Sequence, residues 1–226
     1  MRRALALGAM VMGALAAYGR VVKPRLERWG ATDDEVAANL PGDELLAEPA
    51  AQVTRAITIE ADPEDVWPWI VQLGADRAGF YSYDWMENLF GLGIHSADRV
   101  VESWQDLRVG EVVFANRARS GGWYVVDVRP GEALVLQVGD LNAGRPLRRD
   151  EQLRFEFQWT FVLRQLGPGA TRFVVRERTA FGSRLTRRLA APVSLVSFVM
   201  TRRMMLGIKT LAERPARLGD VVRDGR

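Results

Sequence analysis

Residues 155–163 read Phe-Glu-Phe-Gln-Trp-Thr-Phe-Val-Leu, and their alternation decides the architecture. Phe155, Phe157, Trp159, Phe161 and Leu163 fall on one face of an extended chain, and Arg154, Glu156, Gln158, Thr160 and Arg164 on the other. A period of two with the aromatics all on one side is a strand that buries one face and wets the other.

The same pattern recurs on both sides of this stretch. Gly167-Pro168-Gly169 turns the chain into a second run at Thr171–Arg178. Upstream, Val112–Ala115 and Trp123–Val128 flank Ser120-Gly121-Gly122, and Pro130-Gly131 leads into Ala133–Val138. Turn residues at such short spacing predict an antiparallel meander of five or six strands. Further upstream, Val53, Arg55, Ile57 and Ile59 alternate with Thr54, Ala56, Thr58 and Glu60, which adds a strand with one buried face.

Helical spacing appears in three places. Asp62-Pro63-Glu64-Asp65 supplies a cap, a proline suited to the first helical position and two acids for the N-terminus. Val66, Trp67, Ile70 and Leu73 then form an apolar stripe that Gly74 ends, with a kink expected at Pro68. A short helix starts at Asp84-Trp85-Met86-Glu87 and stops at Gly91 and Gly93. From about Ser183 to Arg214, Leu185, Leu189, Val196, Met200, Met204, Ile208 and Leu211 recur at helical spacing, with a break expected at Pro192.

A twisted sheet with one dry face must be covered, and the long last helix is the element large enough to do it. The expected class is α+β: a curved antiparallel sheet wrapped around a long C-terminal helix, with an extra N-terminal helix and a cavity between sheet and helix.

Composition narrows the chemistry. The chain has 226 residues, enough for one domain with appendages. It has no Cys and a single His, His95, so thiolate nucleophiles, disulfides and Cys/His zinc sites are excluded. A Ser-His-acid triad would have to pass through His95. The net charge is +3, and the signs are evenly mixed over 50–180, which argues against a nucleic-acid-binding stripe. Glycine-rich phosphate loops, metal-ligand clusters and internal repeats are absent from the sequence, so no cofactor is expected.

Arg2 and Arg3 precede an unbroken small and apolar run from Ala4 to Ala17. It is a little short of the ~20 residues that span a bilayer. Three readings stand: a membrane anchor, a cleaved signal peptide with Ala14-Leu15-Ala16 as its site, or a helix packed on the domain. Arg20, Lys23, Arg25 and Arg28 on the distal side favour the anchor, with the globular part cytoplasmic. Tyr18 and Trp29 would then lie at or near the membrane interface. The segment 182–212 holds Arg184, Arg187, Arg188, Arg202, Arg203 and Lys209 without any acid, which suits an anionic membrane surface or a solvated helix face. The expected organisation is therefore 1–24 apolar helix, 25–50 linker or strap with a Thr32/Glu35 capping box, 51–214 globular domain, and 215–226 flexible tail.

The order of elements resembles the START-like, helix-grip superfamily (SRPBCC). The resemblance rests on Ile-Thr-Ile-Glu-Ala-Asp-Pro-Glu-Asp-Val-Trp at 57–67 and the closing Gly-Ile-Lys at 207–209. Residues 67–85, Trp-Pro-Trp-Ile-Val-Gln-Leu-Gly-Ala-Asp-Arg-Ala-Gly-Phe-Tyr-Ser-Tyr-Asp-Trp, resemble its polyketide cyclase/dehydrase-like bacterial branch. The resemblance covers about residues 50–213 and implies a hydrophobic pocket. It does not name an activity, because that superfamily hosts binding, transport and cyclisation alike.

Candidate site residues follow from the inward faces. Tyr81, Trp85, Tyr124, Phe155, Phe157, Trp159, Phe161, Phe173, Met200 and Met204 are the candidate ligand-binding residues, with Tyr124 placed on one face with Val126 and Val128. Phe80, Tyr81, Tyr83 and Trp85 form either a pocket rim or a packed aromatic corner. Asp84 and Glu87 read as a capping box or an acid/base pair. His95, in a loop, is either a general base or an ordinary surface histidine. The candidate catalytic residues are thus His95, Asp84 and Tyr83. The inward strand faces carry almost no titratable groups beyond Glu177 and Asp127, which favours a binding or carrier protein for a lipid-like or aromatic molecule over an aromatase/cyclase. A third reading is a scaffold whose cavity is filled by Trp67, Trp69, Trp123 and Trp159.

Overall fold

The computed structural model of the protein describes Gly13 and residues 18–89, 91–141, 144–146, 155–181, 193–214 and 221–222. Its described strands are β1 (Ala51–Ile59), β2 (Val100–Val101), β3 (Val112–Phe114), β4 (Gly122–Arg129), β5 (Ala133–Asp140), β6 (Arg145–Pro146), β7 (Phe155–Gly167), β8 (Ala170–Phe181) and β9 (Val221–Val222), and β9, within the expected tail, pairs parallel with β2. Six of them form one curved sheet in the order β1-β8-β7-β5-β4-β3, and β6 pairs with the end of β5. Every neighbouring pair in this sheet is antiparallel. The β4–β5 turn shows how the sequence dictates the path: Glu132 N donates to Arg129 O at 2.9 Å, and Gly131 sits at φ +73 after Pro130. Proline then glycine with a positive φ is the pattern of a type II turn.

The described α-helices are α1 (Lys23–Glu27), α2 (Asp33–Ala37), α3 (Pro63–Val71), α4 (Asp84–Leu89) and α5 (Val193–Ala212). Helix α5 begins directly after Pro192 and lies over the concave face. Its Met204, Met205 and Ile208 share one core with Val66, Trp69 and Ile70 of α3 and with Phe161, Phe173, Val175, Leu134 and Leu136 of the sheet. Gly207 permits the approach. A Cβ there would lie 2.6 Å from the Tyr81 carbonyl oxygen, well inside contact distance.

The convex face departs from the alternation argument, which leaves it wet. Gln158, Thr160 and Arg176 are instead fully buried. The cause is the segment before β1, which crosses this face. Leu40 packs with Ala56, Ala133, Val162 and Val174 in a small second core. Three arginines on the outer side of β8 hold the segment down. Arg172 bonds Glu35 and the Gly30 carbonyl; Arg176 bonds the carbonyls of Glu35, Val36 and Ala38 and pairs with Asp43 at 2.5 Å; Arg178 pairs with Asp43 at 2.8 Å. The Thr32/Glu35 capping box forms, with Thr32 Oγ1 accepting from Glu35 N and Glu35 Oε2 accepting from Thr32 N.

Other local expectations are corrected. Helix α3 ends at Val71, and Pro68 lies inside it. The Asp62 side chain does not cap α3; it accepts from Gln165 Nε2 and Gly169 N and so secures the β7–β8 turn. Trp29, expected near a membrane interface, packs edge-on against Phe198 with the Arg202 guanidinium 5.0 Å above its ring. No helix among the described residues is long and apolar enough to cross a membrane. The apolar run 4–17, apart from Gly13, lies outside the described residues, as do Arg184, Arg187 and Arg188 and all of the tail 215–226 except 221–222.

Candidate functional site

Between the concave face and α5 the core is not filled. A cavity of about 730 Å³ remains, on the scale of small-molecule sites rather than of packing defects. Trp123 and Trp159 stand in its wall and do not close it, while Trp69 is buried in the adjoining core.

Strand β7 sets the depth. Phe155 is 44% exposed, Phe157 half-buried, and Trp159 and Phe161 buried, so the inward residues pass from an open end to a closed one. The rings form a continuous run of contacts: Phe155–Phe157 stacked at 6.2 Å, Phe157–Trp159 edge-on at 6.3 Å, Trp159–Phe161 tilted at 4.8 Å and Phe161–Phe173 stacked at 6.4 Å. Phe80 and Trp123 join Trp159 from the opposite side at 6.3 and 5.5 Å. Each such contact adds roughly 0.5–1.5 kcal/mol beyond area burial, which makes the wall stiff.

Of the candidate ligand-binding residues, Phe155, Phe157, Trp159, Met200 and Met204 line the cavity. Phe161 and Phe173 lie beyond its closed end in the packed core. Tyr124 lies on the other face of the sheet, its ring against Gly139 and its hydroxyl donating to the Asp140 carbonyl at 3.4 Å. A bulge explains this. Val125 pairs with Leu136 but Asp127 with Val135, so Val126 is an extra residue that reverses the alternation. Trp123, Val125 and Val128 therefore face inward, and Trp123 takes the place expected for Tyr124. Trp85 is 68% exposed on α4.

Tyr81 is buried beneath α5, outside the lining, where its hydroxyl accepts from Gln72 Nε2 at 2.7 Å. Burial pushes the phenol well above the ordinary tyrosine range, so it stays protonated. Its backbone occupies the left-handed region, with φ +53, held by Gly207 on one side and Gln72 on the other.

The three candidate catalytic residues do not reach the cavity. The Asp84 carboxylate accepts from Ser96 N at 2.8 Å and Ser96 Oγ at 2.6 Å, which ties α4 to the following loop. Tyr83 lies under the Arg203 guanidinium at 5.8 Å. His95 is exposed in the loop that follows α4.

The polar groups that do face the cavity come from elsewhere. Arg55, Ser82, Glu177, Thr179, Ser197 and Thr201 contribute to its wall, and Lys23 and Glu27 of α1 join the lining. Arg55 Nη1 donates to Glu177 Oε1 at 2.9 Å, and both side chains are nearly inaccessible. Glu177 was legible as an inward titratable residue. Arg55 was legible only in its alternation with Ile57 and Ile59, and its charge concealed that it points inward. Asp127, the other inward candidate, instead pairs with Arg129 at the sheet surface. Among the described residues no group of three or more His, Cys, Asp or Glu side chains is placed to hold a metal.

No protein-family model matches this chain, and no curated protein matches it. Solved structures similar to it include MLL2253 from Mesorhizobium loti, at 14% identity and TM-score 0.42 over 74% of this chain and 100% of that one. CV1439 from Chromobacterium violaceum is 16% identical with TM-score 0.43, over 73% and 98% of the two chains. DynU16, a protein of the dynemicin biosynthetic locus, is 16% identical with TM-score 0.41, over 72% of this chain and 48% of that one. At these identities and scores the neighbours carry no functional reading, which rests on this chain's own residues.

Proposed function

We propose that this chain is a START-like helix-grip protein that binds a small apolar molecule in its internal cavity and carries it at a membrane surface. The observation that carries the reading is the cavity itself: about 730 Å³ walled by Phe155, Phe157, Trp159, Phe80 and Trp123 beside an otherwise close-packed core. Interiors pack to the density of organic crystals, so a void of this size costs dispersion contacts that an occupant restores. An exposed apolar strip at the start of α5, Leu195, Val196 and Val199, precedes Arg202 and Arg203 on the same outer side. Such a strip suits contact with an anionic bilayer, and the N-terminal apolar run supports attachment there.

The alternative, an aromatase/cyclase acting on a polyketide-like substrate, needs an acid or base against a bound carbonyl. His95, Tyr83 and Asp84 lie outside the cavity, and Glu177 has both oxygens engaged by donors. Native mass spectrometry of the full-length protein, gently extracted from its own cells, separates the readings. A bound lipid, quinone or similar apolar molecule of definite mass is expected. A clean unliganded mass, with no thermal shift from a panel of lipids and aromatic compounds, would sink the carrier reading.

A further inference from the structure

One side of the cavity is polar, and the pattern of its bonds is unequal. Glu177 accepts from Arg55 Nη1 and Thr201 Oγ1 at Oε1, at 2.9 and 2.6 Å, and from Ser197 Oγ at Oε2, at 2.6 Å. Its two oxygens are engaged, and the two hydroxyl hydrogens are spent on them. Arg55 is engaged less fully. Its Nε donates to the Leu26 carbonyl at 3.2 Å, its Nη1 serves Glu177, and Phe198 covers a face of the guanidinium at 5.6 Å. Its Nη2 makes no hydrogen bond among the described residues, in a side chain that is 1% exposed and lines the cavity, and the indole Nε1 of Trp159, across the strands from Glu177, is buried without a partner. A guanidinium cannot shed its proton, so an unused N–H beside apolar walls is an unmet demand for an acceptor.

We propose that this pole recognises the head of the ligand, and that the head is a neutral carbonyl: a ketone, quinone or ester on an apolar frame. The proposal rests on the cavity being a ligand site. Arg55 and Glu177 cancel each other's charge, so the pole presents a donor without net charge. A carbonyl oxygen accepts from Nη2 and brings no charge with it. A carboxylate head would set a second negative charge beside Glu177, and an ammonium head a second positive charge beside Arg55. Each would be desolvated at the pole without a matching counter-charge, since Lys23 and Glu27, the other charges of the lining, pair with each other at 3.3 Å. The aromatic wall that runs from Trp159, the cross-strand neighbour of Glu177, to Phe80 and Trp123 takes the apolar remainder.

The test uses the full-length protein stripped of bound lipid and four probes with one chain length: dodecane, 2-dodecanone, dodecanoate and dodecylammonium. Binding is followed through the change in tryptophan fluorescence, to which Trp123 and Trp159 of the wall contribute among the seven tryptophans. Each probe is also measured on the double variant Arg55→Met, Glu177→Leu, which makes the pole apolar without leaving one buried charge alone. The ratio of 2-dodecanone to dodecane affinity is expected to be about tenfold or more higher in the native protein than in the variant, the effect of one bond to a charged donor. A second measurement needs no variant. The infrared stretch of carbonyl-labelled 2-dodecanone in the native protein is expected at lower frequency than in a hydrocarbon solvent. An unshifted stretch, an equal ratio in the two proteins, or tighter binding of dodecanoate than of the ketone would each overturn the proposal and leave the carrier reading standing. Binding of none of the four would remove both.

Discussion

The two faces of the sheet solve opposite problems. The convex face is polar, carrying Gln158, Thr160, Arg176 and Arg178, yet it is filled: the segment before β1 lies across it and supplies acceptors to the arginines. The concave face is apolar and aromatic, yet it is left with a cavity. Stickiness alone would predict the reverse. Hydrogen-bonding demand draws a covering segment onto a polar face, and the strap meets most of it, leaving Gln158 Oε1 and Arg178 Nε without a hydrogen-bond partner among the described residues. An apolar wall makes no directional demand, so its interior can be left for something else to fill. The contrast separates the part of the molecule that holds the fold from the part free to bind.

The strongest way to break this contrast is on the convex side. Asp43→Ala leaves Arg176 and Arg178 buried without their shared carboxylate, and the loss of a buried ion-pair partner costs about 3–5 kcal/mol. Urea unfolding measures it, and a loss under 1 kcal/mol would mean that the face is wetter than described. The next largest effect tests the grip of α5. Gly207→Ala pushes a methyl into the Tyr81 carbonyl, and overpacking of this kind costs about 1–3 kcal/mol, read as a lowered melting temperature. Filling the cavity should have the opposite sign. Ala51→Leu, in the lining near the open end, is expected to raise stability by roughly 0.5–2 kcal/mol while weakening ligand binding. Destabilisation together with intact binding would show that the space is not a ligand site.

The smallest effect lies at the edge of the strap. The Arg172 guanidinium bonded to Glu35 holds that carboxyl below its ordinary range. A lowered folded value means that its contribution is present above the unfolded value, near pH 4.5, and is lost as pH falls through the folded one. Screened by nearby solvent, it is worth roughly 0.5–1 kcal/mol. Glu35→Gln should flatten the stability profile on the acid side of that pH, and an unchanged profile would show that the pair contributes nothing.

Much of the fold was legible because β7 and β8 keep one register from Phe155 opposite Phe181 to Gln165 opposite Thr171. The concave wall of Phe155, Phe157 and Trp159 and the stripe of Met200 and Met204 on α5 follow from period alone. Two things were not legible. The bulge at Val126 leaves no mark in residue type, so the parity of β4 was read one residue out and Tyr124 stood where Trp123 belongs. The closure of the convex face depends on contacts between residues 30–46 and a strand more than 120 positions away, and no local pattern announces it. The surroundings of the candidate acid/base residues were not legible for a related reason. Asp84 sits at a plausible spacing for catalysis or capping, but its partner is Ser96, twelve residues on.

The bond from Arg55 to the Leu26 carbonyl has a thermodynamic consequence. Helix α1 supplies an acceptor to the same guanidinium that faces the cavity, so the seating of α1 and the occupancy of the cavity draw on one side chain. Coupling of this kind is reciprocal: whatever an occupant does to the docking of α1, displacement of α1 does in equal measure to the affinity for the occupant. A tug on the N-terminal end of the chain is thereby also an adjustment of the site.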